Sequence, residues 1–214
     1  MPAAAGLPMR AAMVLPLSPA VTEPSRALRL REATREAHAA LDQALMDRGS
    51  FASDAGYRPF LAMQHAFHHD IDALYQDPAL ARLIPGLSTR RRLPAIAADM
   101  ADLGLDAATQ ATPLFGPGHM PTPAAALGWL YVAEGSTLGA AVLRKLVAGF
   151  GLGDHFGARH LAPAGAGPAR HWQQFVGALD AAELDEVGEA DAIAGARAAF
   201  AHVAALADRE TLHP

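Results

Sequence analysis

Cysteine is absent from this chain, and that absence removes disulfides, a thiolate ligand to iron, a cysteine-held zinc and a cysteine nucleophile. Any metal must be held through histidine or carboxylate. Aromatic residues are only 6% of the sequence, β-branched residues are sparse, and no Asn-Gly or Asp-Gly pair signals a hairpin. With alanine and leucine dominant, the composition points to an all-α fold. Positive charge is also scarce: the net charge is −5, and the one dense basic run, Arg90 to Arg92, is too short to make nucleic acid a partner. No apolar run reaches the ~18–20 residues that span a bilayer, and the stretch from Met1 to Arg10 is broken by prolines and lacks a clear signal-peptide core. The expectation is a cytoplasmic protein with no membrane insertion.

What is present suits one substantial domain: 214 residues, 51% hydrophobic and 18% charged. Residues 1–22 read as a disordered N-terminal extension and 23–210 as a single helical domain. A first helix is expected from Thr22 or Ser25 to about Arg48, stopped by Gly49, with Leu30, Ala33, Ala37, Leu41 and Ala44 as its apolar stripe. A second starts after Ser53 or Asp54 and runs through Tyr75, with Phe60, Met63, Phe67, Ile71 and Leu74 at core spacing. A short helix lies between Asp77-Pro78 and Pro85-Gly86, and Ser88 is expected to cap another that reaches about Leu103. Thr122-Pro123 opens a long helix to about Gly149. An irregular stretch from Gly151 to Gly167 precedes two last helices near 168–186 and 189–209.

The long helix carries Gly128, Gly135 and Gly139. Each interior glycine costs about 0.5–1 kcal/mol relative to alanine, so something must come close to the backbone there, either a flat ligand or a neighbouring helix. Ten histidines are spread along the chain, and position has to choose among them. His38 lies beside the apolar stripe of the first helix, with Arg31 two turns earlier, about 10 Å away on roughly the same face. An imidazole and a guanidinium so spaced suit a ligand with a metal and an anionic substituent; a partly buried histidine and a solvated arginine are the other reading. His65 and His69 have the spacing of two zinc ligands, but no third ligand accompanies them. His155, His160 and His171 fall in or beside the irregular stretch, where they read as loop anchors. Glu134-Gly135-Ser136 lies in a helical pattern rather than a strand-to-helix elbow, so it is not a hydrolase signature.

Two segments together resemble the bacterial, biliverdin-producing branch of the haem oxygenase family. Leu30-Arg-Glu-Ala-Thr-Arg-Glu-Ala-His38 resembles its proximal helix, and Gly128-Trp-Leu-Tyr-Val-Ala-Glu-Gly-Ser-Thr-Leu-Gly-Ala-Ala141 its distal helix. Tyr57 to Gln64, Leu83 to Leu87 and Phe156 to Pro163 match in order, so the resemblance covers about residues 26–207. It implies haem held between the first helix and the glycine-bearing helix of a single-domain all-α bundle. His38 would be the axial ligand to the iron, Arg31 a propionate partner with Thr34 beside the haem, and Gly135, Ser136 and Gly139 the distal wall. Ser136 stands where mammalian relatives have an aspartate, so distal water must be anchored differently.

The implied reaction opens haem, both cofactor and substrate, with O2 and external electrons to biliverdin, CO and ferrous iron. Without a flavin or dinucleotide fingerprint, a ferredoxin or flavoprotein reductase is the implied donor. Arg90 to Arg92 and Arg144-Lys145 are candidate docking charges, and a bacteriophytochrome is a candidate biliverdin acceptor. Thr137, where some relatives of unusual selectivity carry lysine, favours the α isomer. The alternative is a non-catalytic haem-binding or storage protein on the same fold. A thiaminase-like hydrolase is disfavoured by the lack of cysteine, and a di-iron oxidase by the lack of paired Glu-x-x-His motifs.

Overall fold

A computed structural model describes residues 24–106, 112–163, 165 and 167–210. The expected extension over 1–22 lies outside the described residues. Among the described residues seven α-helices follow in order: α1 (Arg26–Asp47), α2 (Asp54–Gln76), α3 (Pro78–Leu83), α4 (Leu93–Asp102), α5 (Pro123–Ala148), α6 (Pro168–Ala181) and α7 (Glu186–Glu210). Short 3-10 turns occupy Leu87–Arg90 and Arg159–Leu161, and the described residues form no strand, only isolated bridges around Gly153.

Local chemistry sets most of the helix starts. Hydroxyls or carboxylates that accept from the first free backbone N–H groups cap four of them: Ser25 from Leu28, Ser53 from Gly56, Asp77 from Ala79 and Leu80, and Thr122 from Ala125. Pro78 and Pro123 each open a first turn, where no N–H is needed. The start expected at Ser88 is corrected. Gly86, at φ +75°, reverses the chain into the 3-10 turn that contains Ser88, and α4 begins only at Leu93. The sixth helix also ends earlier than expected, at Ala181, and the seventh begins at Glu186.

The core lies where α2, α5 and α7 meet, with Leu61, Ile71, Leu74, Leu127, Leu130, Phe175 and Leu179 wholly buried. At the crossing of α5 and α7 the backbones nearly touch. A Cβ on Gly128 would stand 2.1 Å from the Ala192 carbonyl oxygen, and one on Gly195 would stand 2.2 Å from that of Ala125. Of the two explanations for glycine in α5, close helix packing therefore holds for Gly128. Alanines 126, 133, 192, 196 and 199 fill the same seam, each buried.

This seam also explains a correction to the expected lack of long apolar segments. The spans Pro123–Ala148 and Glu186–Arg209 are long and apolar enough to cross a membrane by length and composition alone. Both contribute to the α5–α7 seam, and core helices pass the same test of length and composition.

Candidate functional site

Past the α7 crossing, α1 and α5 keep only one face on the core, through residues such as Leu41, Leu45, Ala140 and Val147, and turn the other outward. On α1, Leu30 is wholly buried, but Ala37 and His38 are exposed although the apolar spacing assigns them to the inner face. On α5, nearly every residue from Ala126 to Glu134 is buried, whereas Leu138, Val142 and Leu146 are 46%, 61% and 41% exposed. Gly139 faces open space, with no atom within 4 Å of where its Cβ would stand. Apolar and small residues displayed this way suit a large flat ligand.

The imidazole of His38 is 62% exposed, with Nε2 3.5 Å from the Asp42 carboxylate and the ring 5.5 Å from that of Phe200 on α7. It is therefore free to turn toward a metal brought in by a ligand. Arg31 is exposed and close enough to Tyr131 for its charge to act on that phenol. Burial raises the Tyr131 pKa and the Arg31 guanidinium pulls it back down. Tyr131 in turn packs against Trp172 on α6, ring centroids 5.7 Å apart. Thr34, one turn before His38, is buried, and its hydroxyl donates to the Leu30 carbonyl at 2.7 Å.

Gly135 is half-buried, and a Cβ there would meet the Trp172 ring at 3.8 Å, ordinary contact rather than open space. Of the two glycines expected in the distal wall, Gly139 alone looks onto a void. Ser136 and Thr137 donate their hydroxyls to the carbonyls of Ala133 and Glu134, both at 2.7 Å. Such bonds within a helix loosen and bend it, here beside the two glycines.

Beneath Ser136 and Thr137 is a cavity of about 20 Å³, lined on its polar side by Gln64, His68, Arg92 and His160 and on its apolar side by Ala140, Leu143 and Leu161. That is room for a water molecule. His160 had read as a loop anchor, and it is one on one side only. Its backbone N–H and Nδ1 both bond to the wholly buried Asp99 carboxylate, at 2.9 and 2.8 Å. Nε2, buried on the other side, has no hydrogen-bond partner among the described residues. With Nδ1 donating to Asp99, Nε2 is left as an acceptor. Burial works against the Asp99 charge, but the bonds from His160 and Arg159 outweigh it and hold the carboxyl below its ordinary range. His68 is pushed down to about 3, first by burial and then by the charge of Arg92. Both imidazoles are thus kept neutral in the fold.

His171 is an anchor, bonded into a buried cluster around Glu134. His65 and His69 stack with centroids 6.4 Å apart. No cluster of three metal-ligating side chains forms among the described residues.

The model of the family described as Heme oxygenase matches residues 25–208. The chain is 42% identical over 189 residues to heme oxygenase PigA of Pseudomonas aeruginosa, covering 86% of this chain and 92% of that protein. The solved structure of the NO- and CO-bound heme oxygenase from Neisseria meningitidis superposes with a TM-score of 0.79 at 37% identity, covering 87% of this chain and 92% of that one. The heme oxygenase structure from Leptospira interrogans, at 17% identity and a TM-score of 0.67, shares the fold. The exposed histidine of α1, the glycine-bearing open half of α5 and these likenesses agree, and the chain belongs to the haem oxygenase family.

Proposed function

We propose that this haem-degrading enzyme takes haem between the outer half of α1 and the open half of α5, with His38 as the axial ligand. The observation that carries the reading is the pair of unfilled faces: an exposed imidazole on an otherwise apolar stripe, and Gly139 with nothing against it. Haem, when bound, supplies the iron at which O2 is activated and the ring carbon that is attacked. The protein supplies position and polarity. Arg31 offers a fixed positive charge to a propionate and the neighbouring Tyr131 phenol a hydrogen bond, which together orient the macrocycle. Gly139 lets the backbone of α5 approach the ring, while Leu138, Val142 and Leu146 provide apolar contact and keep water from its edge.

Protons are proposed to reach the distal side through the cavity under Ser136 and Thr137. His160 Nε2 accepts from a water there, and His68 and Gln64 extend the polar path. Because both imidazoles stay neutral, they orient water without an acidic group at the reacting centre. Electrons come from a ferredoxin or flavoprotein reductase. A cytoplasmic setting belongs to the same proposal, with a bacteriophytochrome as a candidate acceptor of biliverdin. The α isomer is assigned because Thr137 brings no charge to the distal side.

The test is incubation with haemin, O2 and a reducing system, followed by chromatography of the pigment. Biliverdin of the α type is expected. Persistence of the haem spectrum without biliverdin contradicts the catalytic reading, and another isomer overturns the assigned orientation.

A further inference from the structure

The buried cluster at the junction between the two halves of α5 has a role that the site itself does not account for. Glu134 is 2% exposed and Arg90, from the 3-10 turn after α3, is 5% exposed. Glu134 Oε2 accepts from Arg90 Nη1 at 2.7 Å, and Oε1 accepts from the Tyr75 hydroxyl of α2 at 3.1 Å. His171 of α6 completes the cluster: its carbonyl accepts from Arg90 Nη2 at 3.1 Å, and its Nε2 lies 2.9 Å from Arg90 Nη1 and 3.2 Å from Glu134 Oε2. That nitrogen either accepts from Arg90 or donates to Glu134, never both. Three separate elements therefore converge on one carboxylate of α5, the last side chain before Gly135.

A buried ion pair is a poor way to gain stability, since desolvating both charges roughly cancels their attraction. Its better-attested value is that only one arrangement satisfies it. Contacts along the open half of α5 would tolerate a small rotation, because Leu138, Val142 and Leu146 are exposed and nothing stands against Gly139. A carboxylate held from three directions does not. The Glu134 carbonyl also receives the Thr137 hydroxyl, so the first turn of the open half hangs from this same residue.

We infer that Glu134, fixed by Arg90, Tyr75 and His171, is the positioning residue that sets the height and rotation of the open half of α5 over the haem, and through them the ring position that is attacked. The inference rests on the proposed haem site. Its first readout does not. In haem-free protein, Glu134→Gln should speed amide hydrogen exchange at 136–148 about tenfold, with 124–133, clamped by α7, unchanged. In haem-loaded protein, the variant should keep the histidine-ligated spectrum and spread its product over more than one biliverdin isomer. Arg90→Lys, which keeps the charge but loses the fork that reaches both Glu134 and His171, should do the same more weakly, and serves if Glu134→Gln does not fold. Unchanged exchange at 136–148, or an equal rise throughout α2, α5 and α6, would overturn the inference, as would a single unchanged isomer. A haem spectrum that survives His38→Ala would instead overturn the proposed site and leave the exchange result standing.

Discussion

The two halves of α5 are one continuous helix with opposite relations to the rest of the molecule. From Ala126 to Glu134 the helix is pressed into α7 so closely that glycine is compulsory at 128 and 195. From Gly135 to Ala148 it carries exposed apolar side chains and a glycine with nothing near it. Glycine means different things in the two halves. In the first it removes a side chain that another backbone displaces; in the second, on the proposed function, it keeps a surface flat for haem. Binding haem requires a surface that the fold leaves incomplete, and the first half supplies the rigidity that makes this tolerable.

Substitutions on either side should separate these roles. The largest effect belongs to His38→Ala, which should remove the histidine-ligated haem spectrum and turnover while leaving the thermal midpoint of the haem-free protein nearly unchanged, as expected for a side chain 62% exposed. A large loss of stability on that change would place His38 in the locked part of the fold. Gly128→Ala should cost about 3 kcal/mol in a urea titration, the upper end for overpacking, because the new methyl would collide with the Ala192 carbonyl. A cost below about 1 kcal/mol would mean that the α5–α7 seam yields.

Under the open half lies the cavity lined by His68 and His160, and acid should reveal it. With His68 held at about 3 in the fold against roughly 6.5 when unfolded, the unfolded chain binds the extra proton throughout that interval. The contribution of His68 is complete above the unfolded value and is lost as pH falls toward 3, at up to about 1.4 kcal/mol per pH unit. His68→Gln should flatten the slope of stability against pH between 6 and 4; an unaltered slope would show that His68 does not stay neutral. The smallest effect is Gly139→Ala, which should stabilise the haem-free protein by about 0.5–1 kcal/mol through helix propensity alone while weakening haem binding. If the same change destabilised the empty protein, Gly139 would belong to the packed half.

How much of this was legible in the sequence follows from how local each signal is. The Ser25 and Thr122-Pro123 starts are contained within four residues, and both appear as expected. Ser88 misled because a serine is a cap only if the chain then enters an α-helix, and Gly86 sends it into a 3-10 turn first. His38 and the glycine helix were readable as a pair through their resemblance to known helices. The different duties of Gly128 and Gly139 were not, since the partner of Gly128 is a segment of α7 far along the chain. His160 reads from sequence as a loop anchor and no more, for the same reason: Asp99, which orients it, is 61 residues away, and its unpartnered nitrogen exists only once both are folded. Tyr131, beside Arg31, lay inside the quoted motif, but its nearness to α1 is a property of the fold.

The most direct test of the contrast is amide hydrogen exchange of the wild-type chain with and without haemin. Haemin should protect 136–148 of α5 and the outer half of α1 around His38, and leave 124–134 as it was. Protection concentrated in 124–134, or none in either helix, would contradict the assignment of the open half of α5 as the wall that receives haem.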